Sequence, residues 1–149
     1  MEPQFEAYTY LKYAEMRKKI EELKTQFPEF LKVSTAEEEF GIKHRQPCNH
    51  ADPTERCQVD ILRISNWANA DSKKQVYFSG TLHGDEIIGP HSVYYLAEYL
   101  LVEAASPGSD VSRLLDSLEV VLTPMTNAVG YFNEEREERM TREVFHRTG

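Results

Sequence analysis

An apolar run that ends abruptly in charged residues constrains this chain more than any other part of its sequence. Residues 75–81 (QVYFSGT) predict a buried strand, and His83-Gly84-Asp85-Glu86 follows shortly after it. Imidazole nitrogens and carboxylate oxygens are both zinc ligands, and a glycine between them lets the backbone turn so that both side chains reach one ion. The pattern therefore predicts two ligands of a zinc site, His83 and Glu86.

The same pattern also has a purely structural interpretation, because a histidine and a glutamate three residues apart often occur on solvated helices. In that interpretation His83 bonds to a backbone carbonyl, while Asp85 and Glu86 favour the positive end of a helix dipole. The position of the pair between an apolar strand and an apolar helix favours the metal site. We expect Asp85 to orient the loop and His91 to have a structural role.

The length and charge of the chain limit the functions that it can have. Its 149 residues, 40% of them hydrophobic, fit one folded domain. The formal net charge of -8 argues against nucleic acid and anionic membrane surfaces as partners, because both attract positively charged faces. No apolar run approaches the roughly 18 residues that a membrane span needs.

Two cysteines, Cys48 and Cys57, bracket a polar segment that predicts a loop. Such a pair is more often a disulfide or two unrelated thiols than a metal site, and His50 between them lacks the standard zinc-ligand spacing. A disulfide would indicate a secreted or luminal protein, whereas the first ten residues do not have the pattern of a secretory signal. The sequence therefore leaves the cellular location open.

Periodicity and turn residues predict alternating helices and strands. An amphipathic helix is expected over residues 8–27, ended by Pro28, and a second helix over residues 91–102, with Pro90 in its first turn. A third, short helix, capped by Asp110, is expected to run to Leu118. Strands are expected over residues 30–33, 58–65, 75–81 and 119–123, with loops over residues 66–74 and 124–130.

A strand, a helix and a strand in succession predict parallel pairing with a right-handed crossover. The expected fold class is therefore α/β, with a mostly parallel or mixed sheet flanked by helices. Ligands of such sheets bind at the carboxyl ends of the strands. His83 and Glu86 follow one strand and residues 127–136 follow another, so we expect both groups to face one cleft.

Two segments, residues 80–86 (GTLHGDE) and 124–131 (PMTNAVGY), resemble the zinc metallocarboxypeptidase family, the carboxypeptidase A/B-like peptidases. The resemblance implies the N-terminal portion of a carboxypeptidase-like domain, with His83 and Glu86 as two ligands of one Zn2+ ion. It also implies that the substrate is the C-terminus of a peptide or protein. The chain departs from the family pattern at Ala128-Val129, where Pro-Asp is usual.

The family also has an arginine soon after the Gly-Tyr loop that polarises the scissile carbonyl. The candidates here are Arg136, Arg139 and Arg142, and we prefer Arg136 as the catalytic and substrate-binding residue. A fixed guanidinium beside zinc would stabilise a developing oxyanion. The alternative is a charged helix in which these arginines pair with glutamates.

The resemblance further implies a third zinc ligand and a general-base glutamate far downstream. The remaining histidines, His44, His50 and His146, do not match that ligand position. We therefore expect residues 1–149 to form a single incomplete domain, truncated before the third ligand and the general base. Such a chain would be inactive by itself.

Two other functions stay open at this point. The segment around His83 is also similar to that of aspartoacylase-type deacylases, which are zinc amidohydrolases of the same fold. A non-catalytic relative that acts as a binding protein would equally explain the missing catalytic groups.

Overall fold

A computed structural model describes residues 9–44, 46–68 and 72–137. A mixed sheet of four strands is flanked by helices, which confirms the expected α/β fold class. The helices are α1 (Tyr13–Gln26), α2 (Ala36–Phe40), α3 (Ile88–Ala104), α4 (Asp110–Leu115) and α5 (Ala128–Asn133). The strands are β1 (Leu31–Thr35), β2 (Asp60–Ile64), β3 (Lys74–Ser79) and β4 (Leu118–Thr123).

The sheet has the strand order β1-β2-β4-β3, and only β3 and β4 are parallel. The parallel pairing predicted for a strand, a helix and a strand in succession is therefore found between β3 and β4, whose connection contains α3 and α4. β1 and β2 are antiparallel because their connection starts and ends at the same side of the sheet, where Thr35 lies opposite Asp60. The mixed sheet is thus the second of the two predicted forms.

The first helix, α1, packs its apolar face onto the sheet. Tyr13, Met16, Ile20 and Leu23 are buried, in the spacing that the sequence predicted. The helix begins at Tyr13 instead of residue 8. Lys12 is its N-cap residue, and the Glu15 carboxylate accepts the Lys12 backbone N–H at 2.8 Å, which has no acceptor within the helix.

The short helix α2 was not predicted from the sequence. The Thr35 hydroxyl accepts the Glu38 backbone N–H and the Glu38 carboxylate accepts the Thr35 backbone N–H, which forms a capping box. The helix ends at Gly41, which has a φ of +67°. Its three consecutive glutamates hid these end signals in a segment that otherwise resembles a polar loop.

Cys48 and Cys57 form a disulfide, one of the two alternatives that the sequence left open. Both cysteines are buried, and the loop between them is closed further by backbone pairing of Pro47 with Arg56. The cystine anchors this polar loop to the hydrophobic core beside α5, where Cys48 Sγ lies 3.9 Å from the Ala128 carbonyl oxygen.

The long helix α3 contains the predicted residues 91–102 and extends beyond them at both ends. Pro90 lies in its first turn, where the missing N–H costs little. Tyr94, Ala97 and Leu101 are buried against the sheet. Among the helices of the described ranges, none combines the length and the apolar character that crossing a membrane requires.

Two boundaries in the C-terminal part were predicted wrongly. The helix expected to run from Asp110 to Leu118 ends at Leu115, and Leu118 begins β4. Its cap is Ser109, whose hydroxyl accepts the Ser112 N–H, instead of Asp110. The predicted loop over residues 124–130 contains the start of α5, because the Asn127 side chain caps a helix there.

β3 lies at the edge of the sheet, which corrects the prediction of a buried strand. All six of its residues are exposed, including Val76, Tyr77 and Phe78. β3 pairs with β4 alone, and within the described ranges no strand pairs with its outer edge. The apolar sequence therefore predicted the strand correctly. It did not predict the exposure of its side chains, because burial depends on what packs on the two faces of the sheet.

A buried ion pair joins α1 to β2. Arg17 contacts both carboxylate oxygens of Asp60, and the shortest distance, from Nε to Oδ2, is 2.9 Å. The Asp60 side chain is only 4% exposed, so water cannot replace the guanidinium. Nearby, the Tyr13 hydroxyl accepts the Gln58 backbone N–H at 2.9 Å. These polar contacts fix how the helix lies on the sheet.

Replacing Arg17 by methionine tests this ion pair. We expect the free energy of unfolding to fall by about 3 kcal/mol, because Arg17→Met leaves a buried carboxylate without its partner. Urea denaturation followed by circular dichroism measures the change. The exposed Lys18→Met is the control and should change the free energy by less than about 0.5 kcal/mol. Equal effects of the two substitutions would contradict a stabilising role of the pair.

Candidate metal centre

The predicted zinc ligands lie together at the carboxyl end of β3. The distance between His83 Nδ1 and Glu86 Oε1 is 3.0 Å, and the two side chains are 27% and 56% exposed. Because β3 and β4 are parallel, the loops that follow them meet at this rim of the sheet. The two side chains are hydrogen-bonded to each other, and a shared ion would replace the hydrogen that lies between them.

The electrostatic surroundings keep the Glu86 carboxylate charged. The hydrogen bond with His83 lowers the pKa of Glu86, and the charges of His83 and Arg136 act in the same direction. A carboxylate that stays ionised balances part of the charge of a divalent cation. The pair is therefore chemically suited to bind zinc.

Arg136, the arginine preferred from the sequence, lies beside the same pair. Its Nη1 is 3.4 Å from Glu86 Oε1 and 3.9 Å from Asp85 Oδ1. The backbone carbonyl of Arg136 also accepts the Gly84 N–H at 3.0 Å. Arg139 and Arg142, the other candidates, lie outside the described residues.

Gly84 is required by the close approach of two backbone segments. A Cβ atom at this position would lie 2.0 Å from the Gly130 carbonyl carbon and 2.3 Å from the Glu135 carbonyl oxygen. The loop that carries His83 and Glu86 therefore packs directly onto the first turn of α5. The glycine at position 84 was expected to permit a turn, and in the structure it permits this close backbone contact.

Asn127 begins the second polar segment that was expected to face the cleft, but its role as a helix cap was not predicted. Its Oδ1 accepts the Gly130 N–H at 2.9 Å, and its Nδ2 is 3.4 Å from the carbonyl oxygens of both Leu82 and Arg136. Asparagine is a preferred N-cap residue, and this preference could have revealed the start of α5. The contacts to two distant carbonyls have no sequence signal.

The described residues do not form a complete zinc site. Among them, no group of three or more His, Cys, Asp and Glu side chains could hold a metal ion, whereas catalytic zinc requires three protein ligands. His83 and Glu86 are thus a pair of ligand-type side chains without a third beside them in the described ranges. His44 pairs with Glu37 at 3.1 Å, and the His50 ring lies 4.6 Å from the Phe132 ring. His146 lies outside the described residues.

His91 has the structural role that was expected of it. Its Nε2 accepts the Leu11 backbone N–H at 2.5 Å, so Nδ1 carries the proton and donates to the Ile87 carbonyl at 2.6 Å. The ring is buried. His91 therefore ties the segment before α1 to the start of α3.

The sequence is similar to those of known carboxypeptidases. A family profile described as zinc carboxypeptidase matches residues 53–147. Carboxypeptidase Z of Homo sapiens is 35% identical over 57 residues, a match that covers 38% of this chain and 9% of that protein. The profile thus covers more than half of the chain, and the chain spans only a small part of the curated relative.

Solved carboxypeptidase structures have the same fold. The structure of thrombin activatable fibrinolysis inhibitor superposes with a TM-score of 0.68 at 16% identity, covering 91% of this chain and 31% of that chain. Carboxypeptidase A from Helicoverpa armigera gives a TM-score of 0.62 at 21% identity, covering 90% of this chain and 30% of that chain. This chain spans about a third of each.

The contact at Gly84 can be tested by adding one methyl group. We expect Gly84→Ala to lower the free energy of unfolding by about 3 kcal/mol, because the methyl group overlaps backbone atoms that cannot rotate away. Gly41→Ala is the control, since Gly41 has a positive φ and open space around it and should cost about 1 kcal/mol. Thermal unfolding of both variants gives the comparison, and a smaller loss for Gly84→Ala than for Gly41→Ala would refute the close packing.

Proposed function

This chain belongs to the zinc carboxypeptidase family, and from that premise we propose that it forms the N-terminal portion of a zinc-dependent enzyme that removes C-terminal residues from peptides or proteins. His83 and Glu86 are the proposed zinc ligands. The observation that carries the proposal is the 3.0 Å distance between His83 Nδ1 and Glu86 Oε1 at the carboxyl end of a strand.

The proposed chemistry is hydrolysis of a peptide bond at the rim of the sheet. Zinc in such a site supplies Lewis-acid polarisation of a carbonyl and of water. Arg136 is the proposed oxyanion-stabilising and substrate-binding residue, because its guanidinium lies 3.4 Å from Glu86 Oε1 and would be next to a carbonyl bound there. Asp85, at 3.9 Å from the same guanidinium, helps to hold it in place.

We further propose that residues 1–149 are one incomplete domain, and that additional polypeptide supplies the third zinc ligand and the general base. The support is that the matched solved structures are about three times as long as the part that this chain covers. With two protein ligands, the remaining positions around a zinc ion would be left to water. The chain by itself is therefore expected to bind the ion without hydrolysing peptides.

The disulfide supports a location in a secretory or luminal compartment. Disulfides persist in oxidising environments and are rare in the reducing cytosol. Both cysteines are buried in the hydrophobic core, so the cystine is part of the folded structure. We propose that the protein folds where this bond can form.

Zinc titration of the chain tests the proposed metal site. Isothermal titration of the unaltered chain should show binding at one site, because a histidine and a carboxylate already converge. His83→Ala should abolish detectable binding, since only one ligand remains. His50→Ala removes an exposed histidine of the cystine loop and should leave the affinity unchanged.

The outcomes of this titration also separate the alternative functions. Zinc affinity that is equal in the unaltered chain and in His83→Ala would disprove the metal site. A melting temperature insensitive to both zinc and a chelator would favour a non-catalytic binding protein. For a complete protein that contains this chain, hydrolysis of N-acyl amino acids but not of peptides with free C-termini would favour the deacylase.

A further inference from the structure

We propose that Asn127 is a positioning residue that holds the loop of His83 and Glu86 and the backbone of Arg136 in one arrangement. This inference rests on the proposed zinc site and concerns how its ligands are kept in place. Asn127 lies between β4 and α5, and none of its atoms is a proposed zinc ligand. Its effect would therefore reach the metal through the backbone of other residues.

The contacts of Asn127 connect three separate segments. Its backbone N–H donates to the Thr81 carbonyl at 3.2 Å, and its Nδ2 donates to the Leu82 carbonyl at 3.4 Å. These two carbonyls directly precede His83. The same Nδ2 donates to the Arg136 carbonyl at 3.4 Å. One side-chain amide thus joins the residue before the proposed zinc ligand to the backbone of the proposed catalytic arginine.

A second hydrogen bond makes this connection rigid. The Gly84 N–H donates to the Arg136 carbonyl at 3.0 Å, so that one carbonyl oxygen receives hydrogen from both sides of the site. Thr81 is buried, and its hydroxyl donates to the Pro124 carbonyl at 2.7 Å. The loop is therefore anchored before and after His83, and Asn127 contributes to both anchors.

The positioning role of residue 127 requires a side-chain amide, because one atom must accept a hydrogen bond and the other must donate. The Oδ1 atom accepts the Gly130 N–H and caps α5, a task that aspartate or serine also performs. The Nδ2 atom faces two carbonyl oxygens, and only a donor is favourable there. Asn127→Asp and Asn127→Ser therefore retain a helix cap while removing the proposed brace.

Removing the brace should weaken zinc binding. Residues that orient metal ligands typically change metal affinity by 10- to 100-fold when they are replaced. We expect isothermal titration to show about tenfold weaker zinc binding for both Asn127→Asp and Asn127→Ser. The negative charge of Asn127→Asp would by itself favour a cation, so weaker binding in this variant identifies lost geometry as the cause. Asn133→Asp, which places the same charge at an exposed position of α5, is the control.

Amide hydrogen exchange, measured without zinc, tests the same contacts of Asn127. Amide hydrogen exchange of Gly84 should be about tenfold faster in both Asn127 variants than in the unaltered chain, because the acceptor carbonyl of Arg136 is held less firmly. The exchange of Val121 in the centre of β4 should not change, which shows that the sheet remains folded. Asn133→Asp should leave both amides unaffected.

The outcomes distinguish this inference from the proposed function. If the unaltered chain binds zinc and both Asn127 variants bind it equally well, the positioning role is wrong and the metal site stands. If the unaltered chain does not bind zinc, the metal site is wrong and the role of Asn127 towards it falls as well. Weaker zinc binding together with faster Gly84 exchange supports both proposals. Unchanged Gly84 exchange in both variants overturns the brace itself.

Discussion

The parallel pairing of β3 with β4 is the constraint on which the candidate site depends. Parallel strands end at the same rim, so the loop with His83 and Glu86 lies against the loop that begins α5. Two facing glycines, Gly84 and Gly130, then let these loops touch through their backbones. The sequence spacing brings the His83 and Glu86 side chains together, and this backbone contact fixes the loop that carries them.

Contacts elsewhere in the fold hold the helices in place around this rim. α1 is fixed to β2 through Arg17 and Asp60, and the segment before α1 is tied to the start of α3 through His91. Hydrogen bonds of this kind to buried groups are expensive to lose, since the unpaired partner cannot reach water. The helix that begins immediately after the proposed zinc ligands is thereby held at its first turn.

The sequence predicted the parts of the structure that depend on local chemistry. The buried face of α1, the strand before His83 and the pairing of His83 with Glu86 all follow from periodicity, residue type and spacing. The start of α5 was missed because its signal is a single capping side chain, that of Asn127. The exposure of β3 was also missed, since an apolar strand does not record what lies on its far side. Arg136 and Glu86 are fifty positions apart in the sequence. Their contact could be anticipated only because the ends of two parallel strands were expected to meet.

The outer edge of β3 has a consequence for how this polypeptide behaves in solution. Backbone donors and acceptors of an edge strand remain able to recruit another strand, and apolar side chains such as Tyr77 make that recruitment more favourable. Lys74 at the beginning of the strand is a charge of the kind that discourages it. In the part of the chain that the structure describes, no strand covers this edge, so self-association of the polypeptide depends on what covers it.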